Sequence, residues 1–140
     1  MINKILIAID HSSSAMNAAN YGIQLAQALK AKLGVVCVTG YNLGNIDAGI
    51  TSQEMEEIMR KSSDILMDEI NITHPGIDIE EFDPIGNPNR EIENVIELWQ
   101  PDLLIIGHHE HRFLYKILSN NVEKKLLKKL KIPILIIPEN

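Results

Sequence analysis

Histidines crowd one short stretch of the chain. His108, His109 and His111 follow Gly107, and His11 stands next to Asp10 near the other end. Neutral imidazole is a common zinc ligand, so a metal site built on His108, His109 and His111 is the first chemistry to weigh. Against it, H-H-x-H in a loop is not a standard ligand spacing, and adjacent histidines tend to point apart. Histidines that pack a loop and hydrogen-bond there are the reading adopted. His74, before Pro75-Gly76, reads as a turn residue. Asp10 could accept hydrogen bonds from a ligand or hold a cation, and it could equally accept amides of the loop that follows it. Ser119-Asn120-Asn121 could hold an anion at a helix start, but Ser and Asn are also ordinary N-caps, and that reading is preferred. Cys37, the single cysteine, lies within an apolar stretch and reads as a small buried hydrophobe.

Several catalytic and nucleotide motifs are absent. There is no GxxxxGK(S/T) and no GxSxG, and the first strand-to-helix turn, residues 10–14, contains no glycine. A phosphate loop, a nucleophile elbow and a dinucleotide fingerprint are therefore excluded.

The elements that must position these residues alternate along the chain. Residues 4–10 (KILIAID) and 33–39 (LGVVCVT) are apolar runs of strand length. Between them, residues 12–14 offer N-caps to a helix reaching about residue 31, with Ala15, Ala19, Gly22, Ala26 and Leu29 as its apolar face. Thr51-Ser52-Gln53-Glu54 fits a capping box opening a second helix, with Met55, Ile58, Met59, Ile65, Leu66 and Ile70 as its inner stripe. Residues 77–82 form a weaker, half-polar strand suited to a sheet edge. Asn87-Pro88 starts a third helix that buries Ile92, Val95, Ile96 and Trp99 and stops at Pro101. Residues 102–107 (DLLIIG) give a fourth strand, 122–130 a basic amphipathic helix, and 132–138 (IPILIIP) a fifth strand.

This alternation predicts one α/β domain over residues 1–140, a parallel sheet covered by helices on both faces. Ile7, Ile9, Val36, Val38, Leu104, Ile106, Leu135 and Ile137 are the expected buried strand residues. A parallel open sheet binds ligands at the carboxyl ends of its strands, where the strand order reverses. In order 3-2-1-4-5 that crevice joins Asp10 to Gly107. In order 2-1-3-4-5 the two lie apart, and periodicity alone does not choose between them.

The opening KILIAID-x-S, the G-N-P turn at residues 86–88, the DLLIIGHH block and the closing PILIIP together resemble the universal stress protein family, over essentially the whole chain. The resemblance implies order 3-2-1-4-5, a Rossmann-like fold of the adenine nucleotide alpha hydrolase-like kind. In many members it also implies a site for ATP or AMP with magnesium. That site uses an aspartate after the first strand, a valine ending the second, and a loop G-x2-G-x9-G-(S/T) after the fourth. Asp10, Val38 and Gly107 match it. Glu110 stands in place of the second glycine, Asn120 of the third, and Asn121 of the Ser/Thr. A vestigial crevice of Asp10, Val38, Gly107, His108, Asn120 and Asn121 is expected. The run GHHEHRFLYKILS is similar to the A-type branch, which is not associated with ATP, so no cofactor is expected.

Composition limits the remaining classes. Hydrophobic residues make up 45% and charged residues 23%, the profile of an ordinary globular protein, and no apolar run is long enough to span a bilayer. The net charge of −6 hides an asymmetry, since residues 41–103 hold 15 of the 19 acidic groups. Lys124, Lys125, Lys128 and Lys129 crowd the last helix, with no interleaved aromatics, and read as a solvated face. Neither nucleic acid nor membrane is an expected partner. The expectation is a cytoplasmic, non-catalytic stress-response protein. It forms a homodimer through Ile134, Leu135, Ile136 and Ile137, whose strand has no charge to protect its edge.

Overall fold

A computed structural model describes residues 1–10, 15–39, 51–107 and 130–138. Within them lie β1 (Lys4–Ile9), α1 (Ala15–Leu29), β2 (Lys32–Cys37), α2 (Ser52–Thr73), β3 (Ile79–Phe82), α3 (Pro88–Trp99), β4 (Leu103–Gly107) and β5 (Ile134–Ile137). All strand pairings are parallel and the order is β3-β2-β1-β4-β5. This selects between the two orders that periodicity left open.

β1 lies at the centre because both of its faces are apolar. Ile5, Ile7 and Ile9 join the cluster beneath α1 and α2, while Leu6 and Ala8 join the one beneath α3. Helices therefore cover both faces. α1 sits close to the sheet because its contact face is made of small residues: Ala15, Ala18, Ala19, Gly22 and Ala26 are all buried. At Gly22 a Cβ would come within 2.6 Å of Ile7 Cγ1, so this approach requires glycine. A left-handed Lys30 (φ 55) ends the helix. Leu29, in the last turn, is exposed at 45%, contrary to expectation, and Ile23 takes the core position instead.

The capping box of α2 forms as expected: Thr51 Oγ1 accepts from Glu54 N at 3.1 Å, and Glu54 Oε2 accepts from Thr51 N at 3.2 Å. The inner stripe needs a correction. Ser63, Met67 and Ile70 are buried, whereas Ile58 and Ile65 point outward. Ser63 can occupy a core position because its hydroxyl donates to Met59 O at 3.1 Å and lies 3.3 Å from Cys37 Sγ. A satisfied hydroxyl is cheap to bury.

Trp99 is buried as expected, packing edge-on against Phe82 at 5.7 Å, with its Nε1–H donating to Glu80 Oε2 at 2.7 Å. β3 is an edge strand, starting at Ile79 instead of 77. β5 is the opposite edge, and there Leu135 departs from the expected buried set. It is 38% exposed, against 0% for its register partner Ile105 on β4, because an edge strand lacks the second neighbour that hides β1 and β4.

Candidate functional site

The sheet order brings β1 and β4 side by side and parallel, so their carboxyl ends lie at the same end of the sheet. Register fixes what meets there. Ile9 is level with Cys37, so Asp10 and Val38 come next on neighbouring strands. Ala8 is level with Ile106, so Gly107 lies level with Ile9, one step before Asp10. Strand spacing of about 5 Å makes the three a contiguous crevice floor. Asp10 and Val38 are buried, at 5% and 3% exposure, and Gly107 is half-buried. His108, Asn120 and Asn121 lie outside the described residues, as do His11, His109, Glu110 and His111.

Thr39 was missed by sequence reasoning. It is 1% exposed and its Oγ1 has no hydrogen-bond partner in the structure, one strand from Asp10. Its backbone extends the β2–β3 ladder beyond the strands: Thr39 N donates to Pro84 O at 2.9 Å, and Gly86 N donates to Thr39 O at 3.0 Å. Gly86 has φ +152 and packs against Glu91, where a Cβ would lie 2.8 Å from Oε1. The chain then enters α3, where Asn87 Oδ1 caps Arg90 N at 3.2 Å. The G-N-P turn thus anchors the start of α3 beside the crevice. Thr39 ends an apolar run, and the threonine within that run was the available signal.

Cys37, one residue below the floor, is chemically quiet. Burial pushes its thiol up to about 11, the Ser63 hydrogen bond partly opposing, with Asp83 and Asp10 adding negative potential. A thiol held protonated is neither nucleophile nor metal ligand at neutral pH. Among the described residues no group of three His, Cys, Asp or Glu is arranged to hold a metal. His74 is a turn residue at the end of α2, its Nε2 2.8 Å from Asn20 Oδ1 on α1. A separate cavity of about 920 Å³ lies at the far, amino end of β2 and β3, lined by Lys30, Lys32, Ile79 and Trp99 among others. It shares no residue with the crevice.

What the floor offers is a buried carboxylate, a buried hydroxyl, an apolar wall at Val38 and a glycine backbone open to close approach. That set suits hydroxyl recognition and the packing of a flat ring.

Residues 1–138 match the model of the universal stress protein family, and the chain belongs to that family. It is 25% identical over 142 residues to a universal stress protein A homolog of Haemophilus influenzae, covering 99% of this chain and 97% of that one. Several solved structures share the fold. A universal stress protein from Lactobacillus plantarum superposes with TM-score 0.76 at 16% identity, covering 97% of both chains. A universal stress protein in complex with cAMP gives TM-score 0.64 at 22% identity, covering 98% of this chain and 97% of that one. Among the described residues no helix is long and apolar enough to cross a membrane.

Proposed function

We propose that this protein is a non-catalytic, cytoplasmic member of the family that acts in stress response through a homodimer and partner contacts, without bound ATP. The observation that carries the reading is the loop after β4. Glu110, Asn120 and Asn121 stand where an ATP-binding member has Gly, Gly and Ser or Thr. Glycines let amides approach phosphate oxygens, and side chains block that approach. Glu110 adds a carboxylate where phosphate would lie, costing about 1 kcal/mol in water at ~4 Å and roughly 4 at an effective dielectric of 20. The donor set therefore fits the nucleoside half of an adenine nucleotide, at Asp10, Val38 and Gly107, and not its polyphosphate. Calorimetric titration with ATP and magnesium is expected to give millimolar binding or none. A Kd of ~10 μM or tighter overturns the reading. In the companion variant Glu110→Gly/Asn120→Gly/Asn121→Ser, affinity should rise.

The dimer reading rests on β5. It ends the sheet order, and Leu135 and Ile136 are 38% and 39% exposed. A two-fold mate would cover the open edge and both side chains. Sedimentation at micromolar concentration should find a dimer, and Ile136→Lys a monomer.

A second reading, an adenine-nucleotide sensor, is favoured by the buried Asp10 adjoining Gly107 and by a cAMP complex in a relative of the same fold. Nucleotide released by heat from freshly purified protein would select it.

A further inference from the structure

The solvent side of α2 carries a pattern that the described residues do not cover. Ile58, Ile65 and Ile72 are exposed at 52%, 65% and 79%. They recur every seventh residue, so they form one line along the helix, spaced about 10.5 Å apart at 1.5 Å per residue. Ser63, Met67 and Ile70 occupy the buried side, so this line lies diametrically away from the core. Single exposed isoleucines are ordinary, but three in register on a helix are not scattered. Nor does helix propensity account for them, because β-branched side chains lose rotamer freedom in helices.

The line has an acidic rim. Glu54, Glu57, Asp64, Asp68 and Glu69 flank it and are exposed, with Lys61 the one basic residue among them. Arg60 turns away, to 3.8 Å from Glu56 and 3.7 Å from Asp83. We infer that the outer face of α2 docks a basic amphipathic helix of a partner protein. Its apolar residues would meet Ile58, Ile65 and Ile72, and its lysines or arginines the acidic rim.

The partner must be helical because the spacing is that of two helical turns. An extended strand alternates its side chains and cannot present one face every third residue. A seven-residue repeat also favours the shallow left-handed crossing of paired helices. It must be basic because the same α2 face of a second copy would set acid against acid along the seam, and the rim equally repels an anionic membrane. This names a surface for the partner contacts proposed above, yet it does not depend on the β5 dimer or on the state of the crevice.

The test uses the full chain and a fluorescent three-heptad peptide with leucine at the a and d positions and lysine at e and g, read by anisotropy. The wild type should bind it, and Ile58→Ser/Ile65→Ser/Ile72→Ser should weaken binding at least tenfold with an unchanged circular dichroism spectrum. A second variant, Asp68→Lys/Glu69→Lys, leaves the isoleucines in place. It should lose affinity for the lysine peptide and gain it for the same peptide with glutamate at e and g. Three results overturn the proposal: no binding to wild type, equal binding of a leucine-free lysine peptide, or an oligomeric state that changes in the triple serine variant. The last would make a second copy the occupant. Failure here leaves the dimer and nucleotide readings intact, since sedimentation of Ile136→Lys and calorimetry with ATP report on those separately.

Discussion

The two edges of the sheet are near copies in pattern and opposites in chemistry. β3 reads Ile79-Glu80-Glu81-Phe82 and β5 reads Ile134-Leu135-Ile136-Ile137. In each strand the middle two residues are exposed and the outer two at least half-buried. At β3 the exposed pair is acidic, the ordinary protection of an open edge against pairing with another chain. Both acids also have internal partners: Glu80 accepts from the indole of Trp99 and Glu81 from Asn71 Nδ2 on α2. At β5 the same two positions are leucine and isoleucine. The two edges share a pattern of exposure and differ in charge, and only β3 carries the acidic protection of an open edge.

That comparison can be broken in graded ways. The largest effect belongs to the middle of the sheet. Ile106 and Ile136 are register partners on β4 and β5, 2% and 39% exposed. Ile106→Ala should cost ~2–5 kcal/mol in denaturant unfolding as a buried large-to-small change. Ile136→Ala should cost under ~1.5 kcal/mol at low protein concentration and more at high, if β5 pairs with a mate. Equal, concentration-independent losses would erase the distinction between edge and centre.

Exchanging the edge codes comes next. Leu135→Glu/Ile136→Glu gives β5 the acidic pair of β3, and the variant should stay folded and sediment as a monomer. A dimer that survives it lies elsewhere on the surface. Gly22→Ala tests the packing at the centre of the sheet, between the two edges: the added methyl meets Ile7 and should destabilise by ~1–3 kcal/mol. A neutral result would mean α1 can lift from the sheet.

Two pH effects are smaller and opposite in sign. The folded state holds Cys37 protonated up to about 11, above the ordinary thiol value of 9.0. The unfolded chain therefore loses that proton first, and stability should fall as pH rises from about 9 to about 11. Cys37→Ala should flatten this alkaline slope. At the acid end, Asp102 accepts amides of Asn3 at 2.7 Å and Lys4 at 2.9 Å, which lowers its pKa. Stability from this clamp is present above the ordinary carboxylate range and lost as pH falls through the depressed value. Asp102→Asn should reduce the acid dependence of the melting temperature, and an unchanged slope would mean the clamp is idle.

Much of this was legible locally, because a cap or turn depends on residues three or four apart. Thr51 and Glu54 announced their capping box, Asn87-Pro88 announced the start of α3, and the apolar runs at β1, β2 and β4 announced a parallel sheet covered on both faces. Those signals need only the helix and strand periods and the hydrogen-bonding habits of short polar side chains. The placement of Asp10, Val38 and Gly107 on one crevice floor was not local. It follows from strand order, and two orders share the same periodicity until non-local pairing selects one. Tertiary contact also decided which of several apolar residues on a helix would be buried. Ile58 and Ile65 gave way to Ser63 and Met67, because Cys37 on the sheet offered the serine hydroxyl a partner that no helical wheel contains.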